Sequence, residues 1–204
     1  MSVIAMQIAV LVLAVVAPVA AHGQGKIEDH AGARRFVSEK YGFSIAVPPG
    51  WLVDPSGNTP LYFSFSPTDA GDFNHQLRLP KGGAVITVIA QDSLPPRQPR
   101  TLHGWAAADA RGVSASDPSI RAFEMPTTTG VASAIISSYD SAAFGPDDQS
   151  EHRVNVFWEF RGKLFASHLM YPSHDSKGAL FERVFVNTVR SIRPLSKAGS
   201  LPAQ

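Results

Sequence analysis

The feature that most restricts the fold of this chain is a pair of alternating segments, residues 152–160 and 163–171, separated by Arg161-Gly162. A two-residue reversal of this kind fixes the register of a hairpin, so that residues opposite one another share a face. In that register Val154, Val156, Trp158 and Phe160 oppose Leu169, Ser167, Phe165 and Lys163. Asn155, Phe157 and Glu159 on the other face oppose His168, Ala166 and Leu164. The pattern predicts an antiparallel hairpin with one strongly apolar face and one mixed face.

Other segments predict further strands and two helices. Strands are expected at 41–47, 51–53, 61–65, 84–91, 120–125 and 132–139. The run at 84–91 is apolar at both its odd and its even positions, as in a central strand covered on both faces. A helix is expected from Thr101, as its N-cap, to Arg111. A second, with Ser176 as its cap, ends before Pro194. This order predicts an α+β fold, a mostly antiparallel sheet with helices packed on it.

The first segment of the chain has the character of an export signal. Residues 1–23 contain no Asp, Glu, Lys or Arg, and an apolar run from Ile8 to Val16 is followed by small residues at Ala20, Ala21 and Gly23. We therefore predict a signal peptide at 1–23, a mobile leader at 24–35, a single domain at 36–194 and a disordered tail at 195–204. The alternative is an uncleaved anchor, because residues 3–21 are long enough to span a bilayer.

Composition restricts the partners and the chemistry. Lys and Arg total 18 against 17 Asp and Glu, and a net charge of +1 argues against nucleic acid or anionic lipid as the main partner. The absence of cysteine excludes disulfides, thiolate zinc sites and thiol nucleophiles. With 44% hydrophobic residues, the chain can form a core without cross-links. These features fit a periplasmic or secreted protein.

One motif resembles a known family. Tyr41-Gly42-Phe43-Ser44, followed by Val47-Pro48-Pro49-Gly50-Trp51, resembles the opening hairpin of PsbP-like domains, and the helix that leads into Ser191-Ile192-Arg193 resembles their ending. Such domains occur in the extrinsic photosystem II subunit, in a nuclear-import factor that binds a small GTPase and in bacterial DcrB-type envelope proteins. The resemblance covers about residues 36–194 and implies an α/β/α sandwich with a role in binding or assembly. The Pro-rich linker at 94–100 and the plain export signal depart from the photosystem subunit, so photosystem attachment is not implied.

Candidate catalytic and metal-binding residues are few. His168, His174 and Asp175 lie close enough in sequence for a loose divalent-metal site, but histidines with no metal, on the surface or in loops, are the favoured interpretation. No Gly-x-Ser-x-Gly pentapeptide marks a hydrolase nucleophile. Glu151 and Glu159 are expected to be solvated strand charges rather than a glycosidase pair. We expect no cofactor and no enzymatic activity.

Binding surfaces are the better prediction. Phe73 and His75 lie in the 67–83 loop and Phe144 in the 141–150 loop, where partners commonly dock. The sequence thus predicts an exported, monomeric, non-catalytic module that binds an envelope protein or a small ligand. Two alternatives stay open: a hydrolase-like enzyme with a site between sheet and helix, and a membrane-tethered accessory protein that keeps residues 1–23.

Overall fold

A computed structural model describes residues 25–30, 32–54, 61–66, 83–93, 99–112, 118–141 and 150–196. They form eleven strands and two α-helices. The strands are β1 (Lys26–His30), β2 (Ala33–Ser38), β3 (Phe43–Ala46), β4 (Leu52–Asp54), β5 (Leu61–Ser66), β6 (Val85–Ala90), β7 (Ser119–Ala122), β8 (Val131–Ser141), β9 (Glu151–Phe160), β10 (Lys163–Pro172) and β11 (Arg193–Pro194). The helices are α1 (Leu102–Gly112) and α2 (Gly178–Arg190). The predicted signal segment lies outside the described residues, and none of the helices within them is long and apolar enough to cross a membrane.

The strands form two antiparallel sheets. The larger has seven strands in the order β4-β5-β6-β10-β9-β8-β7, and the smaller has four in the order β1-β2-β3-β11. Two antiparallel sheets with packed helices confirm the α+β prediction. The strand at 84–91 is also confirmed as internal, because β6 lies between β5 and β10 with apolar residues buried on both of its faces.

The large sheet is the central layer, and each of its faces covers a different core. On one face, Phe43 of the small sheet packs edge-on against Trp158 and Phe165, and α2 adds Phe181 and Phe185. On the other face, Trp105 of α1 packs against Phe157. Alternation along each strand separates these two cores, so α1 and α2 mark opposite sides of the sheet.

The central hairpin has the predicted register. Phe160 pairs with Lys163, Trp158 with Phe165 and Asn155 with His168. The reversal uses positive φ at both turn residues, 50° at Arg161 and 71° at Gly162, which matches the twist of the flanking strands.

The start and end of the ordered fold differ from the sequence expectation. Residues 24–35 are predicted as a mobile leader, whereas β1 and β2 pair there in a ribbon. Charged side chains dominate this ribbon, and Lys26 forms ion pairs with Glu28 at 2.9 Å and Glu39 at 2.7 Å. With few apolar positions on an exposed strand, the sequence has little alternation to reveal it.

At the other end, Leu195 belongs to the fold rather than to a tail. It is buried, and its N–H donates to the Gly42 carbonyl at 2.9 Å.

The helix starts are partly as expected. Thr101 accepts a hydrogen bond from the Gly104 N–H at 3.1 Å, which fits its predicted capping role. Helix α2 begins at Gly178 rather than directly after Ser176, and its N-cap, Lys177, makes no side-chain capping bond. The carboxylate of Asp175 instead accepts the Lys177 N–H at 2.7 Å, which stabilises the turn before the helix.

Candidate functional site

Polar side chains gather at one end of the central strands of the large sheet. At this end β8 and β10 finish and β9 begins, with Ser141 and Pro172 both paired to Glu151. Strand β6 also begins there, with Val85 opposite Met170. Because neighbouring residues of a strand point to opposite faces, this end of the sheet presents two separate polar groups, which we call the α1-side network and the α2-side network.

The α1-side network is a set of buried and partly buried hydrogen-bonding residues beside the C-terminal half of α1. Its members are Asp109, Ser137, Tyr139, Glu151, Arg153, Asn155 and His168.

At its centre His168 Nδ1 lies 2.8 Å from Asn155 Oδ1, and Asn155 Nδ2 donates to Ser137 Oγ at 3.3 Å. An amide oxygen only accepts hydrogen bonds, so Nδ1 of His168 carries the proton and Nε2 is the acceptor.

His168 is the most constrained titratable group of this network. Its side chain is buried, and burial lowers the pKa of the imidazole; the Asp109 carboxylate opposes that shift and the Arg153 cation reinforces it. The ring is therefore neutral, with its Nε2 lone pair inside the protein. Nε2 has no hydrogen-bond partner among the described residues.

The rest of this network is paired. Tyr139 donates its hydroxyl to Asp109, and burial together with the charge of Asp109 raises the pKa of the phenol far above its usual range. Arg153 and Glu151 form an ion pair at 3.0 Å, with side chains only 13% and 9% exposed. Removing one partner of a buried ion pair leaves an unpaired charge and lowers stability, so both side chains are held in place on this side of the sheet.

The α2-side network lies on the opposite face, between β8, β9, β10 and α2. Ser138 Oγ lies 3.1 Å from His152 Nε2, and His152 Nδ1 lies 2.8 Å from Asp140 Oδ1. Ser173 donates to the same Asp140 oxygen at 3.1 Å. Glu182 of α2 approaches His152 Nε2 at 3.7 Å.

The surroundings of this network favour an ionised Asp140 and a protonated Tyr171. The hydrogen bond from His152 lowers the pKa of Asp140, against a smaller opposing effect of burial. Tyr171 donates to Glu182 at 2.6 Å, and burial together with that hydrogen bond raises the pKa of the tyrosine far above its usual range. Tyr171 therefore acts here as a donor that holds Glu182 in place.

The three metal candidates from the sequence do not come together. His168 is buried in the α1-side network, whereas His174 is exposed in the turn after β10 and Asp175 holds the start of α2. Among the described residues no group of three His, Cys, Asp or Glu side chains could hold a metal ion. Phe73, His75 and Phe144 lie outside the described residues, so their role in partner binding stays a prediction.

Sequence reasoning predicted neither network. It placed the histidines on the surface or in loops and treated Glu151 as a solvated charge, whereas both His168 and Glu151 are buried. The hairpin register already places Asn155 opposite His168, and that pairing was the available signal for the α1-side network. Asp109 reaches it from a helix, which no local pattern reveals. Ser138, Asp140 and His152 come together across β8 and β9 after a connection whose length hides their pairing.

No protein-family model and no curated protein sequence matches this chain. Solved structures with a similar backbone include LpqN of Mycobacterium tuberculosis, a protein involved in cell envelope biogenesis. It is 13% identical, with a TM-score of 0.46, and the match covers 76% of this chain and 83% of that one.

Cyanobacterial PsbP from Synechocystis is also 13% identical, with a TM-score of 0.39 and coverage of 78% and 91%. A Pseudomonas aeruginosa protein of unknown function is 12% identical, with a TM-score of 0.37 and coverage of 86% and 100%. A PsbP is thus among the solved structures to which this chain is similar, and PsbP-like domains are also the family that the Tyr41–Trp51 motif resembles. At these identities no residue role carries over from any of the three.

Proposed function

We propose that this chain is an exported, monomeric binding module of the cell envelope, which takes a small polar ligand at the α1-side network and does no chemistry on it. The observation that carries the proposal is the buried Nε2 atom of His168, an acceptor with no donor among the described residues.

The physical argument concerns the cost of that atom. A buried acceptor without a donor costs about 1–3 kcal/mol of stability. A ligand hydroxyl or amine that donates to Nε2 recovers this cost, and the charge of Arg153 acts on the same ring. The ligand class that fits is therefore a small molecule with hydroxyl or amine donors.

Binding without chemistry fits the composition of the α1-side network. Ser137 is bonded to the amide of Asn155 and not to an imidazole, so no base activates its hydroxyl. Tyr139 stays protonated because its pKa is raised. The side chains of this network can orient a ligand, but they offer it no nucleophile.

Export is supported by the first segment of the sequence. Residues 1–23 lack charged side chains and end in small residues, and a chain without cysteine folds equally well in an oxidising compartment. The mature protein is expected to begin at His22 or Gln24. Mass spectrometry of the N-terminus of the protein isolated from its own cells tests this, and a chain that retains its apolar segment would favour the membrane-tethered alternative.

Native mass spectrometry of that same protein tests ligand binding. We expect a non-covalent small-molecule adduct on the wild type, lost in His168→Leu. The matched control is His103→Leu, because His103 is an exposed histidine on α1 and its loss should leave the adduct in place. A wild type without an adduct, or an adduct that survives His168→Leu, contradicts the proposal.

A further inference from the structure

We propose that the α2-side network is a hydrolytic centre for short carboxylic esters, with Ser138 as the nucleophile and His152 as its general base. This activity goes beyond the proposed binding function and lies on the opposite face of the sheet. It departs from the favoured sequence expectation of a protein without enzymatic activity and corresponds to the hydrolase-like alternative that the sequence leaves open.

The three residues have the polarity that acyl transfer requires. Asp140 is a carboxylate and accepts the proton of His152 Nδ1 at 2.8 Å, so the lone pair of Nε2 faces the Ser138 hydroxyl at 3.1 Å. Serine, histidine and aspartate in this relation are recognised by geometry and not by sequence order. Ser173 donates to the same Asp140 oxygen and holds it in place. Asp140 is a positioning residue, because it acts through His152.

The surroundings favour the proton transfer. When Ser138 gives its proton to His152, an imidazolium forms, and the Glu182 carboxylate 3.7 Å from Nε2 stabilises that charge. Tyr171 holds Glu182 by a hydrogen bond of 2.6 Å. The His152 side chain is 22% exposed and that of Asp140 is 61% exposed, so the centre is open to a dissolved substrate.

Strand β7 supplies groups for the carbonyl oxygen. Ser119 is paired directly with Ser138, and Arg121 is paired with Ile136, so both share the face of Ser138. Both side chains are exposed, and a guanidinium or hydroxyl donor can hold the negative charge that develops on that oxygen.

The reaction balances with water as the second reactant. Ser138 Oγ forms a bond to the ester carbonyl carbon while its proton moves to His152 Nε2. The tetrahedral intermediate then collapses, and the leaving alcohol takes that proton as its C–O bond breaks. Water attacks the acyl-serine by the same proton path, which releases the carboxylic acid and restores Ser138.

Covalent labelling tests this most sharply. The full chain is treated with a fluorophosphonate, the modified peptide is mapped by mass spectrometry, and hydrolysis of p-nitrophenyl acetate is measured in parallel. We expect one adduct, on Ser138, that is absent from Ser138→Ala. Ser133→Ala is the matched control: Ser133 is an exposed serine of the same strand bonded to Glu159 and not to a histidine, so both readouts should be unchanged.

Variants of the other two residues separate chemistry from folding. His152→Ala should slow labelling at least about 100-fold, the usual contribution of a general base. Asp140→Asn should slow it as well, with partial recovery in Asp140→Glu, and circular dichroism checks that each variant is folded. His168→Leu should label like the wild type, which keeps this test independent of ligand binding. No adduct on Ser138 in the folded wild type, or equal labelling in His152→Ala, overturns the proposal.

Discussion

At the scale of single residues, His168 explains the most about the α1 side of the protein. Its ring is held in one tautomer by Asn155, and burial lowers its pKa. Between its folded and unfolded pKa values the unfolded chain binds more protons than the folded one. Stability that depends on a neutral His168 is therefore present above the unfolded value of about 6.5 and is lost as the pH falls below it.

This gives a pH prediction. Urea unfolding at about pH 7.5 and about pH 5.5, on either side of the unfolded histidine pKa, should show that the wild type loses stability on acidification. His168→Gln, which cannot titrate, should lose less between the same two points. His103→Gln, an exposed control on α1, should behave as the wild type does. Equal losses in His168→Gln and the wild type would contradict a buried neutral imidazole.

Two glycines form a second test at this scale. Gly42 and Gly50 have φ of 73° and 76°, so alanine at either position costs about 1–2 kcal/mol through backbone strain. A Cβ at Gly42 would also clash with the Arg161 guanidinium, whereas one at Gly50 meets nothing within 4 Å. Gly42→Ala therefore shifts the end of the Arg161 side chain, which donates to the Leu195 carbonyl at 3.3 Å.

Urea unfolding should show Gly42→Ala as the less stable of the two variants. Equal losses of stability in Gly42→Ala and Gly50→Ala would mean that the contact with Arg161 does not affect the free energy of unfolding.

At the scale of elements, the sequence predicts the strands that have a strong hydrophobic alternation and misses those that lack one. The β9–β10 register follows from two alternating runs around a tight reversal, and β6 from its apolar faces. The β1–β2 ribbon is missed because residues 24–35 have few apolar positions and no alternation, although Phe36 and Val37 at the end of β2 are buried in the core. Neither network is predicted as a network. The register places Asn155 opposite His168, but no local pattern reveals that Asp109 of a helix lies 4.0 Å from the same ring.

Arg35 tests whether the ribbon belongs to the fold. Its guanidinium donates to Ser44 Oγ at 3.0 Å and to the Ser191 carbonyl at 2.6 Å, which ties β2 to the end of α2. Arg35→Met should lower the free energy of unfolding by about 1.5–3 kcal/mol, the range for hydrogen bonds to a charged group. Arg34→Met, an exposed neighbour on the same strand, should change it by less than about 0.5 kcal/mol. Similar small effects in both variants would support the mobile leader that the sequence suggests.

At the scale of the whole molecule, one sheet is shared by both cores, so the two faces should unfold together. Trp105 of α1 is buried against Phe157, and Trp105→Ala should lower the free energy of unfolding by about 3–5 kcal/mol. Calorimetry should show one transition, shifted down in temperature as a whole. Leu52→Ala, at a side chain that is 46% exposed, should leave it nearly unchanged. A separate early transition in Trp105→Ala would show that the α1 layer is an independent unit.

The shared sheet also places two different chemistries back to back. The α1 side has a buried acceptor among fixed polar groups, and the α2 side has a half-buried serine beside an imidazole. The central claim concerns the first of these, namely that His168 Nε2 receives its hydrogen bond from a ligand.

The most direct test is a high-resolution crystal structure of the protein purified from its native cells. We predict density for a small molecule that is not part of the chain, with a hydroxyl or amine within hydrogen-bond distance of His168 Nε2. A side chain or backbone group of this same protein in that position would contradict the account, because the network would then be a self-satisfied part of the core.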